Sequence, residues 1–443
     1  MKLVYGIKDK PKFGQLLVFA LQQLLAILAA TIAVPKIIGN GMSTSAALFG
    51  AGVGTLVYQL FTKGKSPVFL GSSFAFLGSM MAAFAGGVSV SLGYVGMIIG
   101  AFFAGLVYVV IALVVKFVGV GWINKLMPPV VIGPTVAIIG LSLSGNAVGD
   151  ALSIAKEGNS FVMDLKAGLC LICALVTLAV VMLCSVFGKK MTKLIPFIIG
   201  IAAGYVLATV FTVIGNTYGI DAMKIIDFSA FSSMQWYPEF TFLTALDGIK
   251  EISGTYIGTI AVAYIPVAFV VFAEHIADHK NLSSIIESDL LEEPGLHRTL
   301  LGDGVGSAVG AFFGGCPNTT YGESVGCVAI TGNASVITIT TTAVLAIIAS
   351  FFAPFVTVLA TIPACVMGGV CISLYGFIAV SGLKMIQKVD LNENKNLFVV
   401  SVILIAGIGG MALTFGKITL TAIACALILG IFTNIMLSGK KAK

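Results

Sequence analysis

Apolar runs of about twenty residues follow one another from Gln15 to Leu437, separated by short clusters of Gly, Pro, Lys and Asp. Within each run the hydrophobic positions surround the helix instead of forming one stripe, which is the pattern of a segment buried on all sides or set in lipid. The runs predict helices at about 15–38, 45–62, 68–84, 93–116, 121–142, 165–187, 194–215, 255–278, 298–314, 322–332, 336–355, 362–383, 396–414 and 418–437. A bilayer core needs about twenty apolar residues per helical span. A transmembrane barrel would instead need alternating segments of about ten residues, shorter than these and apolar on one face only. The fold class expected is therefore an all-α polytopic membrane protein with fourteen spans.

Composition agrees with that reading. Hydrophobic residues make up 58% of the 443-residue chain, charged residues 10%, and the mean hydropathy is +1.07. The first run is too long for a signal peptide and many spans follow it, so it is read as a retained helix. All eight cysteines fall in or beside apolar stretches, and the Cys170–Cys173 pair inside a span is small-residue packing instead of a disulfide or redox motif. The net charge of +6 is spread thinly through loops, which excludes a nucleic-acid-binding stripe. With the amino terminus placed in the cytoplasm, nineteen of the twenty-five Lys and Arg residues fall on the inner side, in line with the positive-inside rule and with two cytoplasmic termini.

The longest polar break, residues 216–254, divides the chain into a first unit of seven spans (1–215) and a second of seven (255–443). An odd number of spans per unit puts the second unit upside down relative to the first, which is the arithmetic of an inverted repeat. Such repeats hold the substrate near the midplane, on broken helices at corresponding places. The third and tenth spans meet that description. Ser66-Pro67-Val68-Phe69-Leu70-Gly71-Ser72-Ser73-Phe74 precedes one short apolar helix, and Pro317-Asn318-Thr319-Thr320-Tyr321-Gly322 precedes another. Pro and Gly oppose helix there while Val, Phe, Thr and Tyr favour extended backbone. Two short antiparallel strands are expected, each handing the chain to a half-helix whose free amides, around Phe74 and Glu323, point into a site.

Three acids lie inside apolar stretches: Glu274, Asp278 and Glu323. A carboxyl at membrane depth costs roughly 3 kcal/mol or more, so it is retained where it meets a cavity, a partner or a proton. Glu274 and Asp278 are one helical turn apart and share a face, and two like charges so close favour protonation of one of them. That suits a proton-coupled carrier, with Glu274, Asp278, Glu323 and the adjacent His275 as the proton-coupling candidates. Asp303, grouped with Glu292, Glu293, His297 and Arg298, is read as part of a solvated or salt-bridged loop, and His279 as lying at the membrane boundary. A metal site is disfavoured, because Glu274 and His275 point away from each other and no HExxH spacing occurs. No cofactor is expected beyond the proton as coupling ion. No nucleophile with a base can be assembled, which argues against an enzyme. Gly302, Gly304, Gly306 and Gly310 are read as a helix-packing face.

Ala273-Glu274-His275-Ile276-Ala277-Asp278, Glu293-Pro294-Gly295-Leu296-His297-Arg298, Pro317-Asn318-Thr319-Thr320-Tyr321-Gly322-Glu323 and Phe69-Leu70-Gly71-Ser72-Ser73-Phe74 carry a resemblance across nearly the whole chain. The sequence resembles the bacterial uracil permeases of the nucleobase:cation symporter family, also called nucleobase-ascorbate transporters. The resemblance implies a core of spans 1–4 and 8–11, a gate of spans 5–7 and 12–14, and a homodimer in the cell membrane. It further implies that Glu274 and Glu323 hydrogen-bond a pyrimidine, that amides at Phe74 and Gly322 meet its carbonyls, and that Ser73, Tyr321 and Tyr375 belong to the substrate site. Purine carriers of the family have Gln or Asn where this chain has Gly322-Glu323, which favours a pyrimidine. The expected function is proton-coupled uracil import by alternating access. A xanthine or purine permease is the alternative, and an anion transporter on the same architecture is a more distant one. Beyond the nucleobase, membrane lipid is the expected partner.

Overall fold

Serine, aspartate and glycine punctuate the apolar runs and set where each helix starts and stops. The structure, a computed structural model, describes residues 3–119, 121–122, 128–154, 160–189, 191–415 and 418–438. Helix α1 (Phe13–Ile38) ends at Gly39, whose φ of 68° suits glycine, and the Ser43 hydroxyl accepts the Ala46 amide to open α2 (Thr44–Phe61). A strand, β1 (Leu70–Ser72), and the short α3 (Leu77–Ala83) follow. Ser89 caps α4 (Val90–Val118), after which α5 (Pro129–Ser142) and α6 (Ser144–Leu152) form one broken span. Asp164 caps α7 (Leu165–Phe187), and Pro196 opens α8 (Pro196–Tyr218).

In the second half Ser253 caps α9 (Gly254–Ile286), and α10 (Leu296–Gly314) leads to β2 (Asn318–Thr320) and the half-helix α11 (Gly322–Thr331). Then come α12 (Val336–Ser350), α13 (Ala353–Thr361), α14 (Ala364–Ile386), α15 (Asn394–Ile408), the hairpin of β3 (Leu413–Phe415) with β4 (Ile418–Leu420), and α16 (Ala422–Ser438). Among the described residues eight helical segments are long and apolar enough to cross a membrane, and a ninth is the α12–α13 pair, bent by 83°. Helices α7 and α8 bury only 28% and 33% of their most apolar windows and turn Leu183, Val186, Val206 and Val213 outward, as lipid-facing helices do. This is a multi-pass membrane protein.

Packing sorts the helices into two groups. Helix α10 lies against α2 and α4, α9 against α4, and α12 against α1 and α2. In the other group α14 lies against α5, α6 and α7, α8 against α7, and α15 against α16 and α5. Glycine brings α2, α4 and α10 close. A Cβ on Gly50 would stand 2.4 Å from the Gly310 carbonyl oxygen, and one on Gly105 would stand 2.7 Å from that of Gly304. The α10 glycines thus form a packing face.

Several elements differ from the periodicity. Helix α9 runs two turns past 278, because His279, Leu282 and Ile286 remain buried beyond that point. The run 336–355 breaks before Pro354, which starts a separate helix. The run 418–437 opens with a strand, where Ile418-Thr419-Leu420-Thr421 favours extended backbone. The helix expected over 121–142 includes residues 123–127, which lie outside the described residues.

Candidate functional site

The two proline-bearing interruptions meet at the centre of the first helix group. Strand β1 pairs antiparallel with β2, setting Leu70 opposite Thr320, Gly71 opposite Thr319 and Ser72 opposite Asn318, and the Ser73 amide donates to the Pro317 carbonyl at 2.9 Å. Non-helical backbone this deep persists where its amides and carbonyls find partners. Thr55 Oγ1 accepts the Leu70 amide at 2.9 Å, Gln59 donates to the Ser66 carbonyl at 2.8 Å, and Ser324 Oγ accepts the Phe69 amide at 3.2 Å. Gln23, on α1, donates to the same Ser324 hydroxyl at 2.5 Å. Asn318 enters the α2–α10 crossing and donates to the Gly50 carbonyl at 3.1 Å; a Cβ on Gly310 would meet its amide nitrogen at 2.1 Å. Tyr321 donates to the Ser72 carbonyl at 2.8 Å, and its ring occupies the space a side chain on Gly71 would need.

Where the strands end, the chain leaves a cavity of about 510 Å³ between the two helix groups. Glu274, Asp278, Glu323, Phe74, Tyr321 and Gly322 line it on one side, and Val136, Leu374, Phe377 and Ser381 on the other. Helix α11 begins without a side-chain cap, and the residues of its start, Tyr321, Gly322 and Glu323, line the cavity. Asp278 is held across to β2, accepting from Thr320 Oγ1 at 2.7 Å. Three carboxyl groups, uncapped amides and apolar walls in one pocket suit a small flat molecule carrying both donors and acceptors.

The structure brings together five of the seven residues expected to bind substrate. Ser73 is buried with its amide in the strand crossing and does not line the cavity. Tyr375 stands behind Phe74, the ring centroids 5.8 Å apart and edge to face. Of the four proton-coupling candidates, Glu274, Asp278 and Glu323 reach the cavity. His275 projects from the opposite side of α9, fully buried, with Nδ1 2.7 Å from Asp303 Oδ2 and Nε2 2.9 Å from Thr299 Oγ1.

That pairing corrects two readings. Asp303 is not in a solvated loop but fully buried about two turns into α10, because the glycines around it let α4 and α9 close over it. His279 is not at a boundary either: it is buried, 2.7 Å from the Tyr58 hydroxyl, with its ring stacked on His275 at 4.0 Å. Thr319, Thr320 and Ser381 were missed as lining residues, although the strand alternation that turns Tyr321 inward also bears on the threonines beside it.

Residues 14–416 match a permease family, Xan_ur_permease. The chain belongs to that family. This permease is 39% identical to the "Uracil permease" of Bacillus caldolyticus over 99% of its own length and 96% of that protein's, and 35% identical to the "Uracil permease" of Escherichia coli K12 over 96% and 92%. Solved structures share its fold at low identity. The transmembrane domain of the cyanobacterial bicarbonate transporter BicA superposes with a TM-score of 0.64 at 15% identity, covering 97% of the permease and 99% of that chain. The murine anion transporter Slc26a9 in its inward-facing state gives 0.66 at 12%, covering 97% and 69%.

Proposed function

We propose that this permease imports uracil together with protons by alternating access. The observation that carries the reading is the convergence of Glu274 and Glu323, from different helices, on one cavity at the end of a strand crossing, in a chain closely similar to proteins named uracil permeases. Uracil offers two N–H donors and two carbonyl acceptors on a flat ring. A carboxyl beside a backbone amide matches one donor next to one acceptor, so Glu274 and Glu323 take the N–H groups while the amides at Phe74 and Gly322 meet the carbonyls. Phe74 and Tyr321 bound the ring, and Tyr375 backs Phe74. Asp278, tied to Thr320, links protonation to the position of β2.

Two seven-span units in inverted repeat account for the two strand–half-helix segments at corresponding places. The helix groups correspond to a core that carries the site and a gate that faces it, as the separation of α10, α2 and α4 from α14, α7 and α8 supports. The cavity extends toward Ser381, Met385 and Lys193, on the lysine-rich side read as cytoplasmic, which is the arrangement of an inward-open state. The protein acts as a homodimer in the cell membrane with both termini inside, and it transports without chemical conversion of its substrate. Uptake of labelled uracil into reconstituted vesicles tests this: Glu323→Ala abolishes it, and unlabelled uracil competes where xanthine does not. Competition by xanthine instead would move the assignment to purines.

A further inference from the structure

Beside the substrate cavity lies a second crevice, of about 610 Å³, that joins it at Ala277, Asp278, Ser381 and Met385. Its floor is apolar, formed by Phe272 and Ile276 of α9 with Pro129 and Ile132 of α5. Its rim carries three cations on facing walls. Lys280 comes from α9, Lys384 from the last turn of α14 and Lys388 from four residues further on. None of the three makes an ion pair among the described residues. Asp278, already held by Thr320, is the one acid among the described residues that lines the crevice.

The positive-inside bias accounts for lysines on this face but not for three of them around one crevice, and their mutual repulsion opposes its closure. An anion set between them removes that repulsion. Lysine binds phosphate as a point charge, and the crevice volume lies in the range of small-molecule sites. We infer that this crevice takes a phosphate-bearing molecule with an apolar portion that rests on Phe272 and Ile276, of the class of a pyrimidine nucleoside monophosphate. The occupant touches α9 on one side and α5 and α14 on the other. It therefore bridges the two helix groups and holds them in the separation seen here, which slows the return step of transport. A lipid headgroup offers the same phosphate on an acyl chain, and the test separates the two sources.

The experiment measures calorimetric binding of uridine 5′-monophosphate to the purified full-length protein in detergent, with Lys384→Met/Lys388→Met and, from the opposite wall, Lys280→Met as variants. The expected result is saturable binding that weakens with salt and falls at least tenfold in the double variant, while unchanged thermal unfolding shows the fold is intact. In a second arm the protein is reconstituted in phosphatidylcholine with or without phosphatidylglycerol. A thermal stabilisation by phosphatidylglycerol that both variants lose, without nucleotide binding, assigns the phosphate to a lipid. Binding that all variants retain, or no response to either ligand, overturns the inference. The readout needs no transport, so loss of nucleotide binding with uracil uptake intact counts against this crevice alone. Loss of uptake specificity with nucleotide binding intact counts against the uracil assignment alone.

Discussion

Glu274 and His275 are neighbours in the chain, and the fold uses them in opposite ways. On one face of α9, Glu274 and Asp278 look into a cavity, and among the described residues only Asp278 has a hydrogen-bond partner there, the Thr320 hydroxyl. On the other face, His275 and His279 are fully buried and met on every side by Asp303, Thr299, Tyr58 and each other. Both faces carry titratable groups at the same depth. The difference lies in what satisfies them: partners fixed by the fold on one side, space for a ligand on the other. A buried polar group matched by the protein specifies structure, and one left to a cavity marks function.

Substitutions on the two faces separate these roles. The largest effect is expected from Glu274→Ala or Glu323→Ala, which lowers uracil uptake by at least about a hundredfold, because an N–H group of uracil loses its acceptor in a site closed to water. Thermal unfolding in detergent stays near that of the parent. Asp303→Ala works the other way. It strips a hydrogen-bond partner from His275 in a site closed to water, costs roughly 1–3 kcal/mol, and appears first as a lowered unfolding midpoint and reduced yield of folded protein. If Asp303→Ala unfolds no more easily than Glu274→Ala, the contrast between the faces fails.

Smaller changes sharpen the comparison. Gly71→Ala drives a methyl group into the Tyr321 ring, whose nearest carbon would lie 2.3 Å away, and the displaced ring raises the KM for uracil about tenfold with folding little affected. Thr320→Val removes the hydrogen bond to Asp278, worth about 1 kcal/mol, and shifts the pH dependence of uptake more than its maximum rate. The least effect belongs to the exposed pair of Lys65 and Glu293, outside the membrane. Lys65 holds the Glu293 carboxyl below the ordinary value of 4.5. Its contribution is therefore present above that value and disappears as pH falls through the lowered one. Glu293→Gln flattens the acid limb of thermal stability slightly and leaves uptake at neutral pH unchanged.

How much of this was legible beforehand follows from where each signal is encoded. The acids of the cavity were readable, since a carboxyl inside an apolar run has few reasons to be there. The strand crossing was readable at Ser66–Ser73 and Pro317–Tyr321 because Pro, Gly and β-branched residues sit where a helix was otherwise expected. Asp303 was misread, because its nearest charged neighbours in sequence are loop residues while its partner, His275, lies 28 positions away. Only the approach permitted by the α10 glycines discloses that pairing. His275 likewise could not be sorted from Glu274 by composition, since which side of α9 meets a cavity is decided by helices that precede and follow it. The 83° bend between α12 and α13 was overlooked because the apolar run continues through Phe351-Phe352, and hydropathy is blind to direction.

One measurement tests the central claim most directly: accumulation of radiolabelled uracil in vesicles holding the purified permease, with and without an imposed gradient that is acidic outside, compared with Glu323→Ala. The account predicts that the gradient drives uracil above its external concentration in the parent and that the variant shows no such accumulation. Uptake indifferent to the gradient, or undiminished in the variant, would contradict it.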